Sequence, residues 1–249
     1  MNRILLCGAM GHMGREVSHY ANEYGFEIAA GIDFYTAEDA GFPLYAGFTS
    51  FIREKADLII DFSRPAALPG LLEYALAHDL PCVLASTGYG PKEEQMIREA
   101  SEKLPIFVSA NMSVGVYVLK KLIRIAKDMM PQADIEIIEK HHRQKEDSPS
   151  GTAVALLDAL TDKDTRVVYG RKGLDTKRRS GEIGVHSVRG GTLSGEHEVD
   201  FLMENEVISI THSAQNRGIF ANGALRAALY LLNQPAGLYG MDDLMNSLK

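Results

Sequence analysis

Long hydrophobic runs are missing from this chain of 249 residues. Its apolar stretches fall far short of the roughly 20 residues a membrane-spanning helix requires, so no membrane span is expected. Cysteine is scarce: only Cys7 and Cys82 occur, both in apolar, strand-like surroundings. They read as reduced core residues, not as a disulfide pair or a metal site. Basic charge is not in excess either, with 26 Lys+Arg against 33 Asp+Glu and a net charge of −7. General affinity for nucleic acid needs a basic surface and is not expected. Internal repeats, low-complexity tracts and a signal-peptide layout are also absent; Met1 to Leu6 leads straight into a strand-like segment, and a cytoplasmic protein is expected. What is present, 45% hydrophobic and 24% charged residues, is ordinary globular composition. The length allows one large domain or two modest ones.

The first half alternates short apolar runs with amphipathic stretches. Ile4–Cys7, Phe26–Ile32, Leu58–Phe62, Cys82–Ala85 and Ile106–Ser109 read as strands. Between them, 14–24, 64–78 and 91–103 read as helices. This order predicts βαβ units on a parallel sheet, and the unbroken apolar runs fit strands covered on both faces. After Asn111 the pattern changes. A long helix over 114–130 ends at Pro131, and a strand over 135–139 leads into a polar loop, His141 to Ser150. A short helix over 152–160 follows. The stretch 166–195 is rich in Gly, Arg and Lys with little periodicity; strands are expected at 196–202 and 207–213 and a last helix at 220–232. The boundary falls near Ser113. Residues 1–113 and 221–249 would make one domain and 114–220 a second, the last helix returning to the first because chain termini tend to lie close together.

Gly8-Ala9-Met10-Gly11-His12-Met13-Gly14 follows the first strand and opens a helix. Glycines here let the backbone approach a pyrophosphate, and the helix start offers free N–H groups and a positive dipole end to that anion. Asp33 ends the second strand 19 residues after Gly14, where a carboxylate accepts from ribose hydroxyls. The fold class that results is α/β: a Rossmann-like dinucleotide-binding domain joined to an α+β domain with an open mixed sheet for substrate and oligomer contacts. Phe34 follows Asp33 and His12 stands in the turn, so neither place carries an arginine for a 2′-phosphate, which an anionic Asp33 would also repel. NADH is the expected cofactor, with NADPH still within reach of His12 or Arg15.

The stretch Glu139 to Ala153, EKHHRQKEDSPSGTA, is the most informative. Ser150 or Thr152 can cap the helix that starts here, and Pro149 stiffens its entry. A helix start made of Ser150, Gly151 and Thr152 suits a carboxylate or phosphate. His141 or His142 suits a general acid near neutrality, and Lys145 a second acid or a holder of developing negative charge. No metal is expected: the two histidines are adjacent, so on an extended chain they point to opposite sides, and no cysteine is near. Residues 139–191 carry 11 Lys+Arg and 8 Asp+Glu, a local positive excess in an acidic chain that can draw in a small anion.

The glycine turn paired with the histidine–lysine segment resembles the dihydrodipicolinate reductase (4-hydroxy-tetrahydrodipicolinate reductase) family of lysine biosynthesis. ASTG at 85–88, SANMSVG at 109–115 and RGIFANGA at 217–224 also resemble that family's turns and C-terminal signature, and the likeness runs over essentially the whole chain. The resemblance implies a two-domain, homotetrameric enzyme that reduces a cyclic dicarboxylate imine with NAD(P)H. It implies His141 as proton donor, Lys145 as second catalytic residue, His142 as a substrate contact, and Gly151 and Thr152 as holders of one substrate carboxylate. Asp33 would hold the ribose, while Ala85, Ser86 and Thr87, with Ser109, Ala110, Asn111 and Met112, would line the nicotinamide side. His12 and Phe34 stand where many members have arginines.

Two other readings compete. A dehydrogenase acting on an amino-acid semialdehyde commonly adds a catalytic cysteine, for which Cys7 and Cys82, inside strands, are badly placed. A nicotinamide-sensing regulator would need a DNA-binding element or a basic face and would have no use for His141 and Lys145. The single histidines His78, His186 and His197 read as surface or packed residues, with His212 on a strand, and the basic run from Arg171 to Arg179 reads as solvated.

Overall fold

The computed structural model describes residues 1–34, 40–48 and 52–248. The chain forms two compact units, Met1–Ser113 with Arg217–Lys249, and Val114–Asn216.

In the first unit, the strands are β1 (Asn2–Cys7), β2 (Phe26–Ile32), β3 (Leu44–Tyr45), β4 (Leu58–Asp61), β5 (Cys82–Leu84) and β6 (Pro105–Val108). They are joined near the end of the chain by β12 (Gly237–Tyr239), numbered after the five strands of the second unit. Among the described residues these seven form one sheet in the order β12-β6-β5-β4-β1-β2-β3, every pair parallel. Its helices are α1 (His12–Tyr20), α2 (Leu68–His78), α3 (Pro91–Ser101), α6 (Gly218–Leu231) and α7 (Met241–Asn246).

The central strands are apolar on both faces because helices cover both. Leu5, Cys7, Ile59 and Ile106 join Leu71, Ala75 and Ile97 of α2 and α3 in one core. On α6, Ala221, Ala224, Leu225 and Ala228 are fully buried, and α6 packs along β4, β5 and β6. Each wholly buried leucine in such a core contributes roughly 1.5–3 kcal/mol. The strand order reverses direction at β1, with β2 on one side and β4 on the other. The C-terminal ends of strands beside such a reversal form the crevice where parallel sheets bind ligands.

Local chemistry explains where the elements depart from the pattern expected. The first helix begins at His12 and stops at Tyr20; a 3₁₀ turn over Ala21–Tyr24 follows and ends on Gly25 with φ +75°. The next helix is entered through a 3₁₀ turn over Pro65–Ala67, and α2 starts at Leu68. The short β3, β12 and α7 carry too few residues to show a period.

The second unit holds α4 (Val114–Met129), β7 (Asp134–His141), α5 (Gly151–Leu160), β8 (Val167–Tyr169), β9 (Ile183–Arg189), β10 (Gly195–Leu202) and β11 (Val207–Ala214). Its sheet runs β11-β10-β7-β9-β8. β7 is antiparallel to β10 and parallel to β9, so the sheet is mixed. The stretch expected to lack periodicity contains β8 and β9. Leu119 and Ile123 of α4 and Leu156 and Leu160 of α5 pack on Ile135, Ile137, Val199 and Phe201 of the sheet.

The burial alternates along β7: Ile135, Ile137, Glu139 and His141 are buried while the residues between them are half-buried. The face that starts as hydrocarbon therefore ends in a carboxylate and an imidazole. A buried carboxylate persists only if it is paired and hydrogen-bonded.

Candidate active site

The pairing comes from β9. In register, Arg189 stands opposite His141 and Ser187 opposite Glu139. The Arg189 guanidinium donates to both carboxylate oxygens of Glu139, each at 2.7 Å, and also to the Asp147 carbonyl at 2.8 Å. The Ser150 N–H donates to Oε1 of Glu139 at 3.2 Å. His141 Nδ1 lies 2.5 Å from Oε2. Glu139 is 0% exposed, and burial opposes its charge. The bonds from Arg189, Ser187 and His141 outweigh that and hold the carboxyl down to about 2. Burial pushes His141 below the ordinary histidine range, Glu139 partly offsets this, and Lys145 and Arg189 add to the depression.

The neighbouring strand supplies a second imidazole. His197 of β10 faces Glu139 in register, and its ring meets that of His141 edge to face at 5.1 Å. His197 Nε2 lies 2.9 Å from Ser150 Oγ. Ser150 is the N-cap of α5, its hydroxyl accepting from the Ala153 N–H at 3.2 Å, as the Ser-Gly-Thr start suggested. Burial is the main reason His197 is pushed down to about 4, so it is neutral near pH 7. A single packed histidine by sequence, His197 is set opposite Glu139 by the register, and its ring meets that of His141.

The remaining residues of the loop lie close by. Gly151 and Thr152 form the first turn of α5. The Lys145 ammonium pairs with Asp147 at 2.7 Å, and the Lys145 N–H donates to the His142 carbonyl at 3.2 Å. The His142 N–H is held by the Leu193 carbonyl at 2.9 Å, while its Nδ1 is buried without a hydrogen-bond partner. The basic run further on is exposed from Arg171 to Lys177, in line with a solvated run, yet two of its arginines are paired. Arg171 donates to Glu182 at 2.6 Å, and Arg178 bonds Glu136, which also meets His186 at 2.7 Å. Those charges answer one another around Glu136 of β7 and Glu182, the residue before β9. Among the described residues no group of three or more His, Cys, Asp or Glu is arranged to hold a metal ion.

In the first unit the expected cofactor residues occupy three turns at the C-terminal ends of strands. Gly8 to Gly14 follow β1, Ala85 to Thr87 follow β5, and Ser109 to Met112 follow β6. The glycine turn fits a dinucleotide. Gly8 has φ +73°, and a Cβ there would stand 2.7 Å from the Phe62 carbonyl oxygen; a Cβ at Gly14 would overlap the carbonyls of Gly8 and Ala9. The N-cap of α1 is Gly11, with no capping side chain, so no side chain competes for the first N–H groups. Asp33 Oδ2 accepts from the Met10 N–H at 2.9 Å, tying the turn to the end of β2. Arg15 Nε donates to the Met10 carbonyl at 3.3 Å. Phe34 is 83% exposed and His12 is exposed.

Asp61, which no motif in the sequence singles out, ends β4 and is buried. It accepts from Ser63 N at 3.0 Å, Ser86 Oγ at 2.7 Å and Tyr89 OH at 3.3 Å. Burial raises its carboxyl despite these hydroxyl donors. Asp61 thereby fastens the turn after β5, and the one sign in the sequence is an acid closing an otherwise apolar run.

Comparison with known proteins follows the same division of the chain. A family model described as dihydrodipicolinate reductase, N-terminus, matches residues 2–112, and one described as dihydrodipicolinate reductase, C-terminus, matches residues 115–245. The chain is 43% identical over 252 residues to the 4-hydroxy-tetrahydrodipicolinate reductase of Clostridium tetani, covering 99% of this chain and 98% of that one. It is 45% identical over 249 residues to the enzyme of the same name from Caldanaerobacter subterraneus subsp. tengcongensis, covering 98% of each. Among solved structures, the dipicolinate-bound dihydrodipicolinate reductase from Paenisporosarcina sp. TG-14 superposes with a TM-score of 0.77 at 25% identity, over 98% of this chain and 99% of that one. With both halves matched and the likeness carried from end to end, this chain belongs to the dihydrodipicolinate reductase family.

Proposed function

We propose that the chain reduces 4-hydroxy-tetrahydrodipicolinate, by way of its dehydrated form dihydrodipicolinate, to tetrahydrodipicolinate with NAD(P)H in the diaminopimelate route to lysine. The observation that carries this reading is His141 seated on the Arg189–Glu139 pair at the end of β7, beside the capped start of α5, in a chain of this family. A semialdehyde dehydrogenase would need an accessible thiol, whereas Cys7 and Cys82 are both fully buried. Burial also raises both thiols, away from the reactive thiolate form.

When bound, the reduced nicotinamide supplies a hydride to a ring carbon of the conjugated C=N system. The glycine turn and α1 hold the pyrophosphate, and Asp33 the adenosine ribose. Ala85, Ser86 and Thr87, with Ser109 to Met112, line the nicotinamide side. On the second unit, Gly151 and Thr152 at the start of α5 take one substrate carboxylate through backbone N–H groups and the helix dipole, and His142 contacts the substrate. His141 delivers the proton that balances the hydride, and the Lys145 ammonium stabilises the negative charge that develops on the ring nitrogen.

The preferred cofactor is NADH. Exposed Phe34 offers no cation to a 2′-phosphate, the Asp33 carboxylate repels one, and Arg15 is engaged with the Met10 carbonyl. The second unit is the substrate and oligomerisation domain. Its edge strand β11 exposes Val207 and Ile208, and unpaired edges of that kind are usually covered, which supports the homotetramer that the family resemblance implies. The setting is cytoplasmic, and no helix among the described residues is long and apolar enough to cross a membrane.

The test is to add freshly made dihydrodipicolinate synthase product to the enzyme with NADH. Oxidation of NADH in step with product supports the reading. Binding of NADH without turnover overturns it. A kcat/KM ratio for the two cofactors that strongly favours NADPH would remove the NADH preference alone.

A further inference from the structure

A histidine has two ring nitrogens, and proton transfer to a substrate uses one of them. The other must keep its proton throughout, so that the neutral ring takes up its second proton at the reacting nitrogen and gives it up from there as the imidazolium. Three observations in the second unit bear on which nitrogen is which.

The first is the saturation of Glu139. Oε1 accepts from Arg189 Nη2 and the Ser150 N–H, and Oε2 accepts from Arg189 Nη1. A carboxylate held ionised in this way can only accept. The atom it meets on His141 is Nδ1, at 2.5 Å, so Nδ1 must carry a proton. The second is register. Glu139 and His141 are two residues apart on one face of β7, and Arg189 lies opposite His141 on β9. The sheet ladder itself sets the fork of the guanidinium at the carboxylate. The third is the space at the far side of the ring. A Cβ at Gly195 would stand 2.8 Å from His141 Nε2, so only a glycine leaves this nitrogen room. The His197 ring packs edge to face with that of His141 and limits its tilt.

We propose that Glu139, clamped by Arg189, is the positioning residue that fixes His141 as the Nδ1–H tautomer and so reserves Nε2 for proton transfer, with Gly195 keeping that nitrogen clear. This rests on the reading of His141 as the proton donor and assigns Glu139 no contact with substrate. The charged and titratable groups around the ring are Glu139 on its own strand, Arg189 on β9, His197 on β10 and Lys145 in the loop. Of these Glu139 alone favours the imidazolium; Arg189 and Lys145 oppose it, and His197 is neutral near pH 7. Removing the Glu139 charge therefore lowers the pH at which His141 takes up its second proton.

Nitrogen NMR of the full-length enzyme labelled at histidine tests this, with His141 identified by its absence in His141→Gln. The native enzyme is expected to show the neutral ring as a single Nδ1–H tautomer. In Glu139→Gln the ring becomes a mixture or the opposite tautomer, and its titration midpoint falls. The kcat drops by about 10- to 100-fold while NADH affinity stays within about two-fold, because the cofactor turn lies in the other unit. Arg189→Lys keeps the charge, loses the fork, and gives an intermediate tautomer ratio. A native ring protonated at Nε2 overturns the proposal, and needs no variant to fold. So does Glu139→Gln with an unchanged tautomer and midpoint. Failure of the native enzyme to oxidise NADH with the substrate would instead strike the functional reading, since the tautomer is read without turnover.

Discussion

The backbone N–H of Met10 donates to Oδ2 of Asp33 at 2.9 Å, so the acid that ends β2 braces the glycine turn that ends β1. One side chain thus sets the turn from within, and the proposed function also gives it the adenosine ribose. Asp33→Ala is expected to weaken NADH binding by about ten-fold or more and to cost about 1.5–3 kcal/mol of stability, the range for hydrogen bonds to charged groups. Calorimetric titration with NADH and urea unfolding check the two effects. An unchanged NADH affinity would remove Asp33 from the cofactor site.

Ser150 joins structure to chemistry in the second unit. Its hydroxyl caps α5 and bonds His197, while its N–H serves Glu139. Ser150→Ala keeps the N–H but loses both hydroxyl contacts, and is expected to cost about 1–2 kcal/mol. Substrate KM should rise as well, because α5 then presents its first turn less firmly. Urea unfolding gives the first figure and steady-state kinetics the second.

The ion pair beneath His141 has an asymmetric cost. Arg189→Met leaves a wholly buried carboxylate without its counter-charge, and loss of one partner of such a pair costs about 3–5 kcal/mol. The double variant Glu139→Met/Arg189→Met removes both charges and should be more stable than the single one. If the two unfold alike, the pair is not the buried unit that its geometry describes.

Acid should destabilise the protein through His197. Its folded value, about 4, lies below the ordinary 6.5, so the unfolded chain binds the proton first. The contribution of neutral His197 is complete above pH 6.5 and is lost as pH falls from there towards about 4, an effect of about 3 kcal/mol at most. His141, also depressed, adds in the same direction. Glu139, held down to about 2 against an ordinary 4.5, contributes above pH 4.5 and loses its effect as pH falls from there through about 2. His197→Gln should lessen the fall in stability between pH 6.5 and 4, leaving the part that His141 contributes and the more acidic limb in place, as urea unfolding across pH reads out.

Much of this architecture is legible in the residues themselves because its signals are local. Ile4–Cys7, Leu58–Ile60 and Cys82–Leu84 are unbroken apolar runs because both faces of their sheet are covered, and the glycine turn must follow β1 directly. The Ser-Gly-Thr start of α5 is equally local. The strand β9 escaped because Ile-Gly-Val-His-Ser-Val-Arg shows no clean alternation and follows a stretch rich in Lys, Arg and Gly; pairing with β7, about fifty positions earlier, makes it a strand. The same distance hides the support of His141. Arg189 lies 50 residues from Glu139 and His197 lies 47 from Ser150, and only register joins them. The pairing of Arg178 is hidden in the same way, since Glu136 lies on β7, 42 residues earlier.

The account turns on His141, and one variant reaches it directly. With NADH and dihydrodipicolinate, His141→Gln should lose about 10²- to 10⁴-fold in kcat, the range for one well-placed acid, while NADH binds as before. A kcat equal to that of the native enzyme would contradict the account.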